Sequence, residues 1–131
     1  MTASAARQLG TALVLTVAAA FPVAAQQMTI KSESQGGGAG LSLRAETGKQ
    51  LSGTMSVNCD SAFVSFYRAG SPTAIKVQGD KAHEVTLESA GPIVEQTPIQ
   101  MPADLNPTNL CQAGRPDIAK SRQVFTDRLT K

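Results

Sequence analysis

Residues 51–88 read LSGTMSVNCDSAFVSFYRAGSPTAIKVQGDKAHEVTLE, a succession of short alternating apolar and polar runs cut by turn residues. A period of two constrains this stretch more than anything else in the chain. Only an extended strand sends successive side chains to opposite faces, so alternation here means strands with one face buried. Leu51, Gly53, Met55 and Val57 fall on one face, with Ser52, Thr54 and Ser56 on the other. Gly53 inside this run marks a bulge or a close backbone approach. Residues 62–67 are apolar on both faces, with Ala62, Val64 and Phe66 on one and Phe63 and Tyr67 on the other. That pattern suits a strand covered on both sides at the centre of a sheet. Ile75 and Val77 point inward from residues 73–78. His83, Val85 and Leu87 share the apolar side of a strand over 82–88, with Glu84, Thr86 and Glu88 facing solvent. Asn58-Cys59-Asp60, residues 68–72, Gly79-Asp80-Lys81 and residues 89–92 supply the turns.

The flanks extend the same pattern. Met28 and Ile30 alternate with Thr29 and Lys31 in a first strand, followed by the glycine-rich loop QGGGAG over 35–40. Residues 41–45 alternate again. A last strand over 93–100 contains Pro98, which lacks a donor and confines that strand to a sheet edge. Regular turns between alternating runs predict a mainly β fold: a small antiparallel β-sandwich or barrel of six to seven strands with a short C-terminal helical segment. In that segment Asn106 caps a helical turn beginning at Pro107, with Gly114 as its stop. A second helix begins near Pro116 and Asp117, with Ile118, Phe125 and Leu129 as its apolar stripe and Arg122 interrupting it. A strand through 123–129 is the alternative.

The first residues of the 131 read as a leader. Arg7 precedes an apolar run over 11–21 that is shorter than the ~20 residues needed to span a bilayer. Pro22 ends the run, and Val23-Ala24-Ala25 places small side chains before a cleavage point. The expectation is a signal peptide over 1–25, cleaved between Ala25 and Gln26, and a periplasmic or secreted product. The remainder divides into a flexible N-terminal strand and glycine-rich loop over 26–40, a β core over 41–100, and a helical segment over 101–131. No other stretch is apolar for long enough to cross a membrane as a helix.

Cys59 and Cys111, 52 positions apart, are the two cysteines. In an exported chain they predict a disulfide that ties the C-terminal segment to the corner after residue 57. Closing a loop of that size stabilises by about 4 kcal/mol in the chain-entropy account. A redox pair would sit closer together, as Cys-x-x-Cys.

No motif carries a catalytic, cofactor or metal role. His83 is the single histidine and reads as a hydrogen-bonded structural residue. Asp80 and the many serines offer it a triad only in principle, because no Gly-x-Ser-x-Gly elbow is present. One histidine beside two bridged cysteines is too few for zinc. Gly48-Lys49 is followed by Gln50, not by the hydroxyl residue of a phosphate loop. Glu84, Glu88, Glu95 and Asp80 are the carboxylates available for acid–base work, and Glu84 with Glu88 reads as a solvated strand face. The cations Arg115, Lys120, Arg122, Arg128 and Lys131 are interspersed with Asp117 and Asp127. A net charge of +2 and 4% aromatic residues disfavour nucleic acid, whose recognition needs a basic face and stacking side chains. The expectation is a non-enzymatic exported binding or accessory protein acting by protein–protein contact, as an inhibitor or assembly factor. A structural subunit of a surface assembly and, behind it, a small hydrolase are the alternatives.

Overall fold

The computed structural model describes residues 27–87 and 95–131. The predicted leader, its cleavage point between Ala25 and Gln26, and Glu88 through the start of the last predicted strand lie outside the described residues. Among the described residues seven strands form one antiparallel sheet in chain order: β1 (Met28–Gln35), β2 (Gly40–Thr47), β3 (Gln50–Asn58), β4 (Phe63–Arg68), β5 (Thr73–Gln78), β6 (Lys81–Thr86) and β7 (Glu95–Ile99). Each strand pairs with its sequence neighbours, so β1 and β7 are the two edges. A mainly β, antiparallel, seven-stranded fold ending in a helix is therefore what the alternation predicted, and β4 is its central strand. After β7 come a 3-10 turn (Ala103–Leu105), the short helix α1 (Pro107–Leu110), a two-stranded ribbon of β8 (Cys111–Gln112) and β9 (Arg115–Pro116), and the helix α2 (Ile118–Thr130).

One face of the sheet carries the core. Leu41, Leu43 and Ala45 of β2 stand opposite Val57, Met55 and Gly53 of β3, and Val64 and Phe66 of β4 continue the row to Val77 and Ile75 of β5. Leu105, Leu110, Val124 and Phe125 close this face from the C-terminal segment, and all four are buried. The Phe66 and Phe125 rings meet edge to face with centroids 6.2 Å apart, an arrangement that adds to the burial of both.

The chain reverses where its sequence signals it. Asn58 Oδ1 accepts from the backbone N–H groups of Asp60 and Ser61, each at 3.0 Å, which builds the corner that carries Cys59. Asn106 caps α1 by accepting from Thr108 N, and Asp117 caps α2 by accepting from Lys120 N at 3.0 Å. The disulfide joins Cys59 to Cys111 with Cα atoms 5.8 Å apart, fastening the segment after α1 to the β3–β4 corner. Gly114 does not stop a helix, which ends at Leu110. With Ala113 it makes the two-residue turn between β8 and β9, both at positive φ (54° and 78°), the geometry that matches the twist of a tight hairpin.

Four assignments from alternation need correction. Leu51 does not share the core face. Ala45 pairs with Gly53 but Glu46 with Leu51, so Ser52 is an extra residue in β3, and this bulge moves Leu51 to the opposite face. β4 is not covered on both sides: Phe63 and Tyr67 stand half-buried on the face opposite the core. In β6 the core residue is Ala82, which pairs with Val77 and Ile99. His83 and Val85 therefore face away from the main core, and Leu87 is 37% exposed. In α2 the buried residues are Ser121, Val124 and Phe125, whereas Ile118, at the helix's first position, is 48% exposed. Arg122 reaches past the rim and donates to Ser32 Oγ of β1, as a long cationic side chain beside an apolar stripe does. A strand over 123–129 is not formed.

Candidate interaction surface

Over β1–β3 the face opposite the core is polar, whereas toward β4–β6 it also carries half-buried Phe63 and Tyr67 and the fully buried Val85, and the strand register writes its pattern. One row crosses the sheet as Glu33, Ser42, Ser56, Ser65, Lys76, His83 and Pro98, each directly opposite the next. The adjacent row begins Lys31, Arg44, Thr54, Tyr67. Lys31 and Arg44 are like charges directly opposite each other, which costs stability unless an anion joins them. Glu46 supplies it: Arg44 Nε lies 2.8 Å and Lys31 Nζ 3.5 Å from its carboxylate. The Arg44 hydrogen bond, with the Lys31 charge behind it, holds the Glu46 carboxyl below its ordinary value. Lys31, Glu33, Ser42, Arg44, Thr54 and Ser56 line a shallow depression of about 550 Å³ on this side of β1–β3. Lys76 Nζ stands 5.8 Å from the Phe63 ring centre, so the half-buried aromatic is roofed by a cation rather than by a second layer.

The residues available for acid–base chemistry are spread over different parts of the fold. His83 lies on the polar face, opposite Lys76 and Pro98. Among the described residues its ring makes no hydrogen bond. Glu84, one residue on, is on the opposite face and meets Thr73 Oγ1 at 3.4 Å. Asp80 is in the β5–β6 turn and Glu95 opens the edge strand β7, opposite Thr86. Among the described residues no three His, Cys, Asp or Glu side chains come together as a metal-ligand set.

The C-terminal cations do not form one patch either. Arg128 grips Asp104 with two hydrogen bonds of 2.7 and 2.8 Å and stands 5.6 Å from the Phe66 ring centre. Its hydrogen bonds hold the Asp104 carboxyl below the usual range, against the opposing effect of partial burial. Lys131 pairs with Asp127 at 3.6 Å, Lys120 reaches Asn109, and Arg115 lies against Gly38. Arg68 of β4 donates to the Arg128 carbonyl near the end of α2, where a cation suits the helix dipole. These cations hold the C-terminal segment to itself and to the sheet.

The edges differ. β7 is five residues long and contains Pro98, so its ladder is short and lacks a donor, two devices that discourage further pairing. β1 is eight residues long, MTIKSESQ, and pairs with β2 in unbroken register from Met28–Thr47 to Gln35–Gly40. It has no proline and no bulge. Every second residue of such a strand turns its backbone N–H and C=O away from β2, so the outer edge of β1 is a ready ladder for another strand. The side chains on this edge that carry charge, Lys31 and Glu33, are both exposed on the polar face. Reading the sequence for catalytic sets passed over Lys31, Glu33, Arg44 and Glu46; the signal was the pair of opposite charges two positions apart in β1.

No helix of the described residues is long and apolar enough to cross a membrane. The chain matches no protein-family model, no curated protein and no solved structure.

Proposed function

We propose that this is an exported, non-enzymatic binding or accessory protein of the cell envelope or extracellular space, which acts by adding a strand of a protein partner to the outer edge of β1. The observation that carries this reading is the contrast between the edges: β7 is blunted by length and by Pro98, whereas β1 is long, regular and open. Natural sheets defend such an edge unless it is used, and strand addition supplies affinity through backbone hydrogen bonds with specificity from alternate side chains. The disulfide suits the oxidising compartments that a leader would deliver the chain to.

Two measurements test it. Intact mass of the exported product should begin at Gln26 and fall two hydrogens short of the fully reduced chain; an uncleaved Met1 would remove the export part of the reading. Backbone-amide exchange of the labelled protein, with and without envelope extract, should show protection gained along β1. Protection gained on α2 or across the polar face, with β1 unchanged, would replace edge addition by another mode of contact. Any hydrolytic activity lost with both His83→Ala and Glu84→Gln would favour the hydrolase instead.

A further inference from the structure

The β1 edge is self-complementary, and we infer that its partner is a second copy of this chain, paired antiparallel β1 to β1 about a two-fold axis at Ser32. This rests on the strand-addition reading and names the strand that is added.

The register decides it. When two β1 strands run antiparallel about an axis perpendicular to the sheet, both copies keep their helices on the same side, and directly opposite residues share a face. With the axis at Ser32, Lys31 of each copy stands opposite Glu33 of the other, giving two opposite-charge pairs on the polar face. Ile30 then faces Ser34 and Thr29 faces Gln35, so residues 29–35 are used in both chains. The two neighbouring registers that keep the faces matched fail on charge. An axis at Lys31 sets Lys31 against Lys31, and an axis at Glu33 sets Glu33 against Glu33; like charges directly opposite are destabilising. Among the described residues Glu33 has no ion pair within its own chain, so its charge is available to a partner. A parallel pairing turns one sheet over and sets the helix-covered face of one copy beside the polar face of the other.

The same charges make β1 selective rather than merely sticky. An open edge of uncharged residues would pair in several registers; Lys31 and Glu33 leave one that satisfies both. The β7 edge, with Pro98, does not extend the assembly, so the contact closes as a dimer with one continuous sheet instead of growing into a filament. The contact is narrow, in the size range of weak and transient associations.

Sedimentation velocity of the purified oxidised chain over a range of concentrations, up to about 1 mM for a weak pair, tests this together with charge variants. Both positions are exposed, so Glu33→Lys and Lys31→Glu should fold. Wild type should show a monomer–dimer equilibrium with β1 amides protected as dimer forms. Each single variant should dimerise at least tenfold more weakly, because like charges then stand opposite at two places. A mixture of the two single variants should restore association, and so should the double variant Lys31→Glu/Glu33→Lys. A wild type that stays monomeric throughout would overturn the self-pairing inference, and if an envelope component still protected β1 amides, strand addition itself would stand. A dimer indifferent to both single variants, with β1 exchange unchanged, would also overturn it, by placing the contact elsewhere.

Discussion

Strands β1–β4 and strands β5–β7 belong to one sheet but are held differently. The first group carries α2, whose main sheet contacts are with β2 and β3. Arg122 reaches Ser32 in β1, Arg68 of β4 holds the end of the helix, and the disulfide fastens the chain after α1 to the β3–β4 corner. Among the described residues the second group has no such clamp. It contributes the buried core residues Val77 and Ala82, but Ile75 and Ile99 are only partly buried, and β7, like β1, is exposed along most of its length. The difference teaches where an open edge can be tolerated. β1 presents unpaired backbone at the end of the sheet that α2, Arg122 and the disulfide fasten, where a partner strand meets a ladder already held in the extended form. The less secured end carries the proline.

The largest expected effect comes from removing the clamp. Phe125 is fully buried and packs on Phe66, so Phe125→Ala should cost about 3–5 kcal/mol, measured by urea denaturation of the oxidised protein. The corresponding truncation on β6, Val85→Ala, removes a side chain that is also fully buried but lies outside the main core cluster. Its cost should stay near 2 kcal/mol. Equal losses at the two positions would erase the contrast between the two ends.

A smaller effect tests how closely α2 lies on the sheet. A Cβ at Gly53 would come within 2.7 Å of Leu129 Cδ2 and 2.7 Å of the Tyr67 carbonyl oxygen. The side chain can turn away, but the backbone carbonyl cannot without moving β4. Gly53→Ala should therefore destabilise by about 1–3 kcal/mol, despite alanine's ordinary tolerance in a strand. A neutral result would mean that the helix and β4 both yield.

How far this was legible in the sequence follows from the same residues. Period-two alternation and the turns between runs placed the strands, with β4 read as a run apolar on both faces, because half-buried strands must alternate. Asn58, Asn106 and Asp117 were legible as corner and caps because their side chains act on backbone a few residues away. Gly53 was legible as a bulge or a close approach; the close approach is at Gly53 itself and the bulge beside it, at Ser52. Alternation failed where register depended on a distant partner. The bulge at Ser52 flips Leu51, and the pairing of Val77 with Ala82 turns His83 and Val85 away from the core. The helix stripe was misjudged at Ile118 because the face of α2 that is buried is set by where the sheet lies, not by the helix alone. The β1 edge was visible as an edge from its position in the chain. Its charge pattern became meaningful only once β1 was seen to have no second neighbour among the described residues.

The Arg128–Asp104 pair gives a still smaller, pH-dependent effect on the clamp. Asp104 is held below its reference value of 3.8 by Arg128, so it contributes stability that is present above that value and lost as pH falls through the lower folded one. The Asp104 side chain is 41% exposed, and solvent screening limits the pair to about 1 kcal/mol or less. Asp104→Asn should show that loss at pH 7, and the gap to wild type should close in acid well below 3.8. A gap that persisted there would assign the loss to packing around the 3-10 turn rather than to charge.

The smallest effect has the opposite sign. Ser121 is completely buried on the face of α2 that meets the core, and among the described residues its hydroxyl has no hydrogen-bond partner. A buried hydroxyl without a partner carries its desolvation cost uncompensated, and serine is a poorer helix former than alanine. Ser121→Ala keeps the small volume that lets the helix lie close, so it should raise stability by about 0.5–1 kcal/mol. Because the gain falls on the clamped end, it should also leave β1 pairing intact or slightly tighter, read by the same sedimentation experiment. A loss of stability in Ser121→Ala would show that the hydroxyl is engaged after all, most simply with the Asp117 carbonyl that already accepts from the Ser121 backbone at 2.9 Å. The serine would then be part of what holds α2 in place, and the contrast between the clamped and unclamped ends would rest on one more hydrogen bond.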